Sequence, residues 1–164
     1  MLWQCQGHPC RPHRHLLGEE PVQVFAVGTS LVDPEIGKAG DVDTAAVTLT
    51  TARGTICQIS NSRRATYGYD QRIEVHGSKG MLRAENIRET SVELATAQGF
   101  ATAPTLNFFL ERYERAYAAE MESFVAALNA NAPVGPSIED GLKAQLIADA
   151  AAESLKTGAP IALS

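Results

Sequence analysis

Residues 44–61 read TAAVTLTTARGTICQISN, and this stretch decides the fold class of the chain. A small or apolar side chain occupies every second position on each side of a central turn, namely Ala45, Val47, Leu49, Cys57 and Ile59. This period of two is typical of strands that bury one face and leave the other to solvent. Arg53 and Gly54 stand between the two runs and predict a reversal of the chain. The stretch therefore predicts two antiparallel strands with a shared apolar face.

Similar alternation on both sides of this stretch extends the predicted sheet. Further strands are expected at 21–32, 71–76, 81–84 and 91–96, with a loop at 33–43. The sequence Gly77-Ser78-Lys79-Gly80 favours a tight hairpin turn over a phosphate-binding nest, because it does not lead from a strand into a helix. We predict an open antiparallel, or mixed, sheet of at least five strands.

Two helices follow the strands in the sequence. The first has one apolar stripe at helical spacing, formed by Leu106, Phe109, Leu110, Tyr113, Tyr117, Phe124 and Leu128. The second is expected to begin at Ser137, whose hydroxyl suits an N-cap, and to end at Gly158. A short final strand is expected within 160–163. Strands first and helices last predict an α+β fold with the helices packed on one face of the sheet.

The uncovered face of this sheet is expected to be polar but flat. It would carry Thr48, Gln58, Ser60, Arg72, Glu74 and His76. Threonines and long side chains with apolar stems can pack against a symmetry mate, so the sequence predicts a homo-oligomer formed through this face. The alternative is a solvated face, which antiparallel sheets commonly have.

Composition and charge limit the classes of function. The chain has 164 residues, with 14 Lys+Arg against 19 Asp+Glu and a net charge of -5, and this length suffices for one domain with its own core. A nucleic-acid partner is not expected, because no concentrated basic face is visible. A membrane span and a secretory signal are not expected either. Three cysteines are too few for a disulfide framework, which favours a cytoplasmic location.

The first fifteen residues, MLWQCQGHPCRPHRH, differ in composition from the rest. They contain no acidic residue, and we expect 1–15 to be poorly ordered and 16–164 to form the folded domain. Their soft-metal donors are Cys5, His8, Cys10, His13 and His15. This spacing is not a recognised zinc pattern, so no metal site is predicted.

Familiar catalytic and cofactor motifs are absent from the sequence. The 13 glycines include no G-x-G pair, so no cofactor-binding residues for a dinucleotide are predicted. No nucleophile elbow, zinc-protease motif or Walker loop is present.

The richest polar constellation is NSRRATYGYDQR at 61–72. Its phenol, carboxylate and guanidinium groups around a glycine could bind a polyhydroxylated molecule, with Tyr67, Tyr69 and Asp70 as the candidate substrate-binding residues. The alternative is a polar connection between strands whose tyrosine rings pack on the core. No proton-transfer partner is evident from spacing, so no catalytic residue is predicted.

Three stretches together resemble a known family of enzymes. They are NSRRATYGYDQRIEVHGSKGMLRAEN, LNFFLERYERAYAAEMESF and EDGLKAQLIADAAAESLKTGAPI. They are similar to the C-terminal half of the inositol 2-dehydrogenases, in the glucose-fructose oxidoreductase/inositol dehydrogenase (Gfo/Idh/MocA) family. The resemblance runs from about Leu16 to the end. It implies an α+β domain that follows an N-terminal Rossmann domain binding NAD or NADP.

The resemblance also implies roles for particular residues. Such an enzyme oxidises a ring hydroxyl of inositol or another polyol to a ketone with NAD, and Tyr69 would contact the substrate, with Tyr67 and Asp70 as wall or support residues. Relatives often assemble by stacking their sheets. The family's Glu-Lys-Pro lysine has no match, and His8 and Gln4 stand where its His and Asp are expected, with Pro9 following His8.

These departures lead to an expectation about the chain as given. We expect it to be inactive alone, as the substrate and oligomerisation domain of a truncated or frame-shifted dehydrogenase. The gene upstream would test this, because an intact upstream region without G-x-G-x-x-G would contradict it. The alternative is a non-enzymatic module that binds a polyol or mediates oligomerisation.

Overall fold

A computed structural model describes residues 16–163 and divides them into two compact units. The first unit comprises the described residues up to Arg64 together with those from Pro136 onward, and the second is Ala65–Gly135. In chain order the elements are β1 (Pro21–Thr29), α1 (Pro34–Lys38), β2 (Thr44–Thr51), β3 (Ile56–Ser62), β4 (Ile73–Gly77), β5 (Gly80–Ala84), β6 (Glu93–Thr96), β7 (Gly99–Thr102), α2 (Phe109–Asn129), α3 (Ile138–Thr157) and β8 (Ile161–Ala162).

The first unit is built on a four-stranded antiparallel sheet in the order β3-β2-β1-β8. Val47 lies opposite Ile59 on one neighbouring strand and Ala26 on the other. The buried core combines one face of the sheet with α3, and its members are Val24, Ala26, Val47, Leu49, Ile59, Ala144, Ile147, Ala150 and Ala151. The predicted apolar face is confirmed, because Ala45, Val47, Leu49 and Ile59 are all buried.

Helix α3 begins and ends at the predicted residues. The Ser137 hydroxyl accepts from the Asp140 amide while the Asp140 carboxylate accepts from the Ser137 amide, which forms a capping box. Gly158 ends the helix at φ 67°, the left-handed conformation that glycine adopts without strain. Alanines on the buried side allow the helix to lie close to the sheet.

A buried serine joins α3 to the edge of the sheet. The pairing with β8 involves only Gln23 and Val24, so the amide of Ala26 lies beyond the end of that short strand. The Ser154 hydroxyl accepts from this amide at 3.0 Å and donates to the Ala159 carbonyl at 2.7 Å. Both hydrogen-bonding roles of the hydroxyl are therefore satisfied, as a buried polar group requires.

The predicted loop at 33–43 contains the short helix α1 and is held by a buried carboxylate. Asp43 is 0% exposed and accepts from the amides of Val32 and Asp33, both at 2.8 Å, and from the Thr44 hydroxyl at 2.9 Å. Burial alone would raise the pKa of Asp43, but these hydrogen bonds outweigh it and lower the pKa. Five helical residues are too few to show a helical period, which is why the sequence pattern missed α1.

The second unit contains two separate hairpins and α2. Strand β4 pairs with β5 through the predicted turn at 77–80 and with no other strand of the described residues. Strand β6 pairs with β7, a strand that the sequence did not predict. Tight turns follow Gly77 and precede Gly99, whose φ is 124°. On β4 the alternation is as predicted, with Ile73 and Val75 half-buried and Glu74 and His76 exposed.

The α+β class with open antiparallel sheets is confirmed, but two details of the prediction are wrong. Strands β4, β5, β6 and β7 do not join the four-stranded sheet, so there is no single sheet of five or more strands in the described part of the chain. Of the two long helices, only α3 supplies residues to the core on that sheet, and α2 has no buried residue. Alternation assigns a residue to a face, but it does not determine which strands pair.

Candidate functional site

The polar constellation at 61–72 includes a loop of the second unit that is closed around a glycine. Gly68 has φ 122°, and a Cβ added there would lie 2.0 Å from the Thr105 hydroxyl oxygen and 3.0 Å from the carbonyl oxygens of Thr105 and Leu106. The Thr105 hydroxyl donates to the Tyr67 carbonyl at 2.5 Å, and the Tyr69 amide donates to the Leu106 carbonyl at 2.8 Å. Glycine is required here, because only it tolerates both the positive φ and the close neighbouring chain.

The neighbouring chain is fixed in turn by the segment after β5. The Leu106 amide donates to the Ile87 carbonyl at 2.9 Å, and the Glu89 amide donates to the Pro104 carbonyl at 3.1 Å. Arg88 and Thr105 form an isolated antiparallel bridge between these two bonds. The loop therefore rests on an ordered backbone.

Asp70 is the centre of the side-chain network in this loop. Its Oδ1 accepts from Arg72 Nε and from Asn86 Nδ2, both at 2.8 Å, and its Oδ2 accepts from Arg72 Nη2 at 2.9 Å and from the Tyr67 hydroxyl. The Asn86 side-chain oxygen accepts from the Gln71 amide at 2.8 Å. Four donors thus satisfy one carboxylate, and the guanidinium contact is bidentate.

These contacts determine the protonation of the network. Hydrogen bonds from Arg72 lower the pKa of Asp70 to about 2, with further contributions from Tyr67 and Asn86, although burial opposes the shift. The hydrogen bond to Asp70 raises the pKa of Tyr67. At neutral pH the carboxylate is ionised and its acceptor positions are taken, so it suits an organising role better than that of a general base.

Tyr69 makes its ring contacts with α2. Its ring meets that of Tyr113 edge to face, with centroids 5.8 Å apart, and Tyr113 meets Tyr117 at 6.1 Å. The Arg112 guanidinium lies 5.8 Å from the centroid of the Tyr113 ring. Burial, followed by the hydrogen bond with Tyr69, raises the pKa of Tyr113.

Two buried polar atoms near these tyrosines in sequence have no hydrogen-bond partner within residues 16–163. They are Oε1 of Gln71, an acceptor, and Nε of Arg112, a donor. Buried polar groups are nearly always paired, and unpaired ones commonly belong to ligand sites. This part of the second unit therefore has an unused donor and an unused acceptor.

A cavity of about 660 Å³ lies on the Tyr67 side of the loop. It is lined by Tyr67, Arg72, Arg83, Glu85, Asn86, Arg88 and Thr105. Tyr69 does not line it. The three candidate residues Tyr67, Tyr69 and Asp70 thus share one loop, but only Tyr67 lines this cavity.

Asn86 and Thr105 are the structurally important residues that the sequence analysis missed. Asn86 lies 16 residues from Asp70, and Thr105 lies 38 residues from Tyr67. No spacing rule links such distant positions in a single sequence. No group of metal-ligating residues was found in the described part of the chain, and the cysteine and histidine donors at 1–15 lie outside it.

Protonation of Asp70 gives a testable dependence of stability on pH. Because the folded-state pKa is lowered, the network stabilises the fold fully above about pH 4 and loses this contribution as the pH falls towards about 2. We expect Asp70→Asn to lower the urea midpoint at pH 6 and the gap from wild type to shrink below pH 4. Circular dichroism can follow both proteins. A gap that stays constant to pH 2.5 would contradict the pKa assignment.

Comparison with known proteins identifies the family. The model of the C-terminal alpha/beta domain of the Gfo/Idh/MocA oxidoreductases matches residues 13–163. The chain belongs to this family. It is 56% identical over 142 residues to inositol 2-dehydrogenase of Rhizobium meliloti, an alignment that covers 87% of this chain and 43% of that enzyme. The chain therefore matches less than half the length of this relative.

Solved structures of the family share the fold. A myo-inositol dehydrogenase from Corynebacterium glutamicum superposes with a TM-score of 0.91 at 36% identity, covering 100% of this chain and 52% of that protein. A scyllo-inositol dehydrogenase from Lactobacillus casei, solved with NAD(H) and scyllo-inositol, gives 0.84 at 30% identity, covering 93% and 45%. These relatives act on inositols.

Residues 16–163 do not form a Rossmann-type site for the NAD(H) found in the Lactobacillus casei enzyme. A dinucleotide site of the Rossmann type needs parallel strands joined through a glycine-rich loop. All strand pairs between residues 16 and 163 are antiparallel, and the 13 glycines of the sequence include no G-x-G pair.

Proposed function

We propose that the chain is the substrate and oligomerisation domain of an NAD-dependent polyol dehydrogenase of the inositol 2-dehydrogenase type. The observation that carries the proposal is its 56% identity to such an enzyme across 87% of the chain. The complete enzyme oxidises one ring hydroxyl of a polyol to a ketone. The cofactor would be bound by residues other than those of this chain.

Within this proposal Tyr69 contacts the polyol, and Tyr67 and Asp70 support the loop that presents it. The Asp70 network and the Thr105 contact hold the loop in one conformation, which favours recognition because little ordering is needed on binding. The unpaired Gln71 oxygen and Arg112 nitrogen offer an acceptor and a donor, as a hydroxyl requires.

The chemistry of the complete enzyme is shared between this domain and the cofactor. Hydride passes from the ring carbon to the nicotinamide while a base takes the hydroxyl proton. Asp70 is not that base, since it is ionised, has four donors and has a pKa of about 2. The chain contributes binding and orientation.

The proposal is tested first with the 164-residue chain alone. Without a dinucleotide-binding loop, purified chain should show no change on NAD titration and no inositol-dependent NADH formation. A complete relative, such as the Rhizobium meliloti enzyme, is the positive control. NADH formation proportional to the concentration of this chain would overturn the assignment of cofactor binding to other residues.

A second candidate function is a non-enzymatic module for polyol binding or oligomerisation. The outer face of the four-stranded sheet favours a role in oligomerisation, because it exposes apolar side chains such as Val27 (51% exposed) and Ile56 (65% exposed). The residues on this face are Phe25, Val27, Ala46, Thr48, Thr50, Ile56, Gln58 and Ser60. The predicted face was partly wrong, since Arg72, Glu74 and His76 belong to the second unit. The corrected face is more apolar than predicted.

We propose that this outer face forms the contact of a homo-oligomer. Thr48 stands in the middle of it, opposite Phe25 and Gln58. Light scattering at micromolar concentration should give a dimer or larger species, and Thr48→Glu should shift the mass towards the monomer by burying unpaired charge. Thr90→Glu, in the second unit, is the control and should leave the mass unchanged. A monomeric wild type would refute the interface.

A cytoplasmic location is also part of the proposal. Cys57 is half-buried and reduced, and burial raises the pKa of its thiol, which makes it a poor nucleophile. Among the described helices, none combines the length and apolar character needed to cross a bilayer. We expect no nucleic-acid partner, since the chain is acidic.

A further inference from the structure

The cavity in the second unit has an excess of positive charge on its wall. Three arginines, Arg72, Arg83 and Arg88, line it together with a single carboxylate, Glu85. The chain as a whole has a net charge of -5, so the positive charge of this cavity wall is opposite in sign to the net charge of the protein. The volume of about 660 Å³ lies in the range of sites for small molecules.

Two of these arginines are already neutralised by neighbours. Arg72 forms the bidentate contact with Asp70, and Arg83 Nε lies 2.5 Å from Glu85 Oε1. Arg88 forms no ion pair or side-chain hydrogen bond with any residue of 16–163, and it is exposed to the cavity and solvent. One positive charge on the wall is therefore uncompensated.

The backbone that presents Arg88 is fixed. Arg88 pairs with Thr105 in an isolated bridge, and the hydrogen bonds of Ile87 and Glu89 flank it on both sides. Thr105 is itself held by its hydrogen bond to Tyr67. A cation on a rigid backbone loses less freedom on binding than one on a mobile loop, so the position is preorganised for a ligand.

The free hydrogen-bond donors of the cavity belong mostly to its guanidinium groups. The Tyr67 hydroxyl proton goes to Asp70, both ends of the Asn86 amide are used, and the Thr105 hydroxyl proton goes to Tyr67. Glu85 and the hydroxyl oxygens of Tyr67 and Thr105 still offer acceptors, but three guanidinium groups face a single carboxylate on this wall. This surplus of cationic donors favours a group made of acceptor oxygens, such as a phosphate or carboxylate.

We propose that this cavity binds the oxyanion group of a small phosphorylated or carboxylated molecule. Arg88 makes the principal contact, and the outer N–H groups of Arg72 and Arg83 complete it. The inference is independent of the proposed function, because it rests on the charge and hydrogen bonding of this cavity alone.

The experiment uses the whole chain with sodium phosphate and sodium acetate as probes, and with sodium chloride at matched ionic strength to control for screening. The NMR signal of the Arg88 Nε–H reports binding, and thermal unfolding reports the accompanying stabilisation. Phosphate, acetate or both should shift the signal and raise the melting temperature, and the stronger probe identifies the preferred oxyanion. Myo-inositol at the same concentration should leave the Arg88 signal unchanged.

Variants make the test specific to the residue. Arg88→Gln should weaken anion binding by about tenfold, the loss expected for one charge-assisted contact, and Arg88→Lys should retain part of it. Arg115→Gln, an exposed arginine on α2, should bind as wild type. Equal affinities of wild type and Arg88→Gln, an equal shift of the Arg88 signal with chloride or myo-inositol, or no response to either anion would each overturn the proposal.

Discussion

Replacing Gly68 with alanine should cost about 2–5 kcal/mol of unfolding free energy and loosen the whole loop that carries the candidate site. The new methyl group would meet the Thr105 hydroxyl oxygen at 2.0 Å, in a backbone with φ 122°. Rotating Thr105 away would break its bond to the Tyr67 carbonyl and would leave two carbonyl oxygens at 3.0 Å. Rotation of the Thr105 side chain therefore cannot relieve the clash without a loss of stability.

Gly99 provides a matched control for this substitution. Its φ of 124° is nearly the same, but nothing lies within 4 Å of the added carbon. Gly99→Ala should therefore show only the conformational cost, about 1–2 kcal/mol. Urea denaturation followed by circular dichroism compares the two variants. Equal losses would show that the close approach of Thr105 does not constrain the loop.

The parts of the fold that sequence could predict are those fixed by local pattern. The alternation that includes Val47 and Leu49 located a buried face, since a period of two places every second side chain of a strand on the same face of the sheet. Ser137 and Gly158 marked the ends of α3, because capping depends on the residues at the cap itself. The turn between Gly77 and Gly80 was recognisable for the same reason.

The parts that sequence could not predict depend on pairing between distant segments. β4 has an alternation like that of β2, yet it pairs only with β5 and not with the four-stranded sheet. Strand β7 was missed because its sequence, Gly-Phe-Ala-Thr, shows no alternation of apolar and polar residues.

The candidate site was predicted as a group of residues but not as a geometry. The Tyr-Gly-Tyr-Asp motif drew attention to Tyr67, Tyr69 and Asp70, and the structure places them in one loop. The motif alone could not show that the Asp70 carboxylate accepts a hydrogen bond from Asn86, or that the Tyr69 ring contacts Tyr113 in α2. Both partners come from segments that nothing local connects to the motif.

The largest functional effect is expected when this chain is joined to a cofactor domain. Residues 16–164, placed behind the N-terminal part of the Rhizobium meliloti inositol 2-dehydrogenase, replace a domain to which the chain is 56% identical. The loop around Gly68 is stabilised within Ala65–Gly135, so it should keep its conformation in the chimera. We expect the chimera to gain an activity that neither part has alone.

Two variants of the chimera address the role of Tyr69. Tyr69→Phe removes the hydroxyl, together with its hydrogen bond to Tyr113, and should lower kcat/KM for myo-inositol by about tenfold, the effect of losing one hydrogen bond to substrate. Tyr117→Phe is the matched control, because that ring contacts Tyr113 and is 38% exposed. It should leave kcat/KM within about twofold of the parent chimera.

Myo-inositol-dependent reduction of NAD by this chimera is the most direct measurement of whether the chain is the substrate domain of a polyol dehydrogenase. NAD titration first establishes that the cofactor part is folded. The account predicts steady NADH formation that requires both myo-inositol and the joined chain, with a marked loss in Tyr69→Phe only. A chimera that binds NAD but forms no NADH with inositol would contradict it.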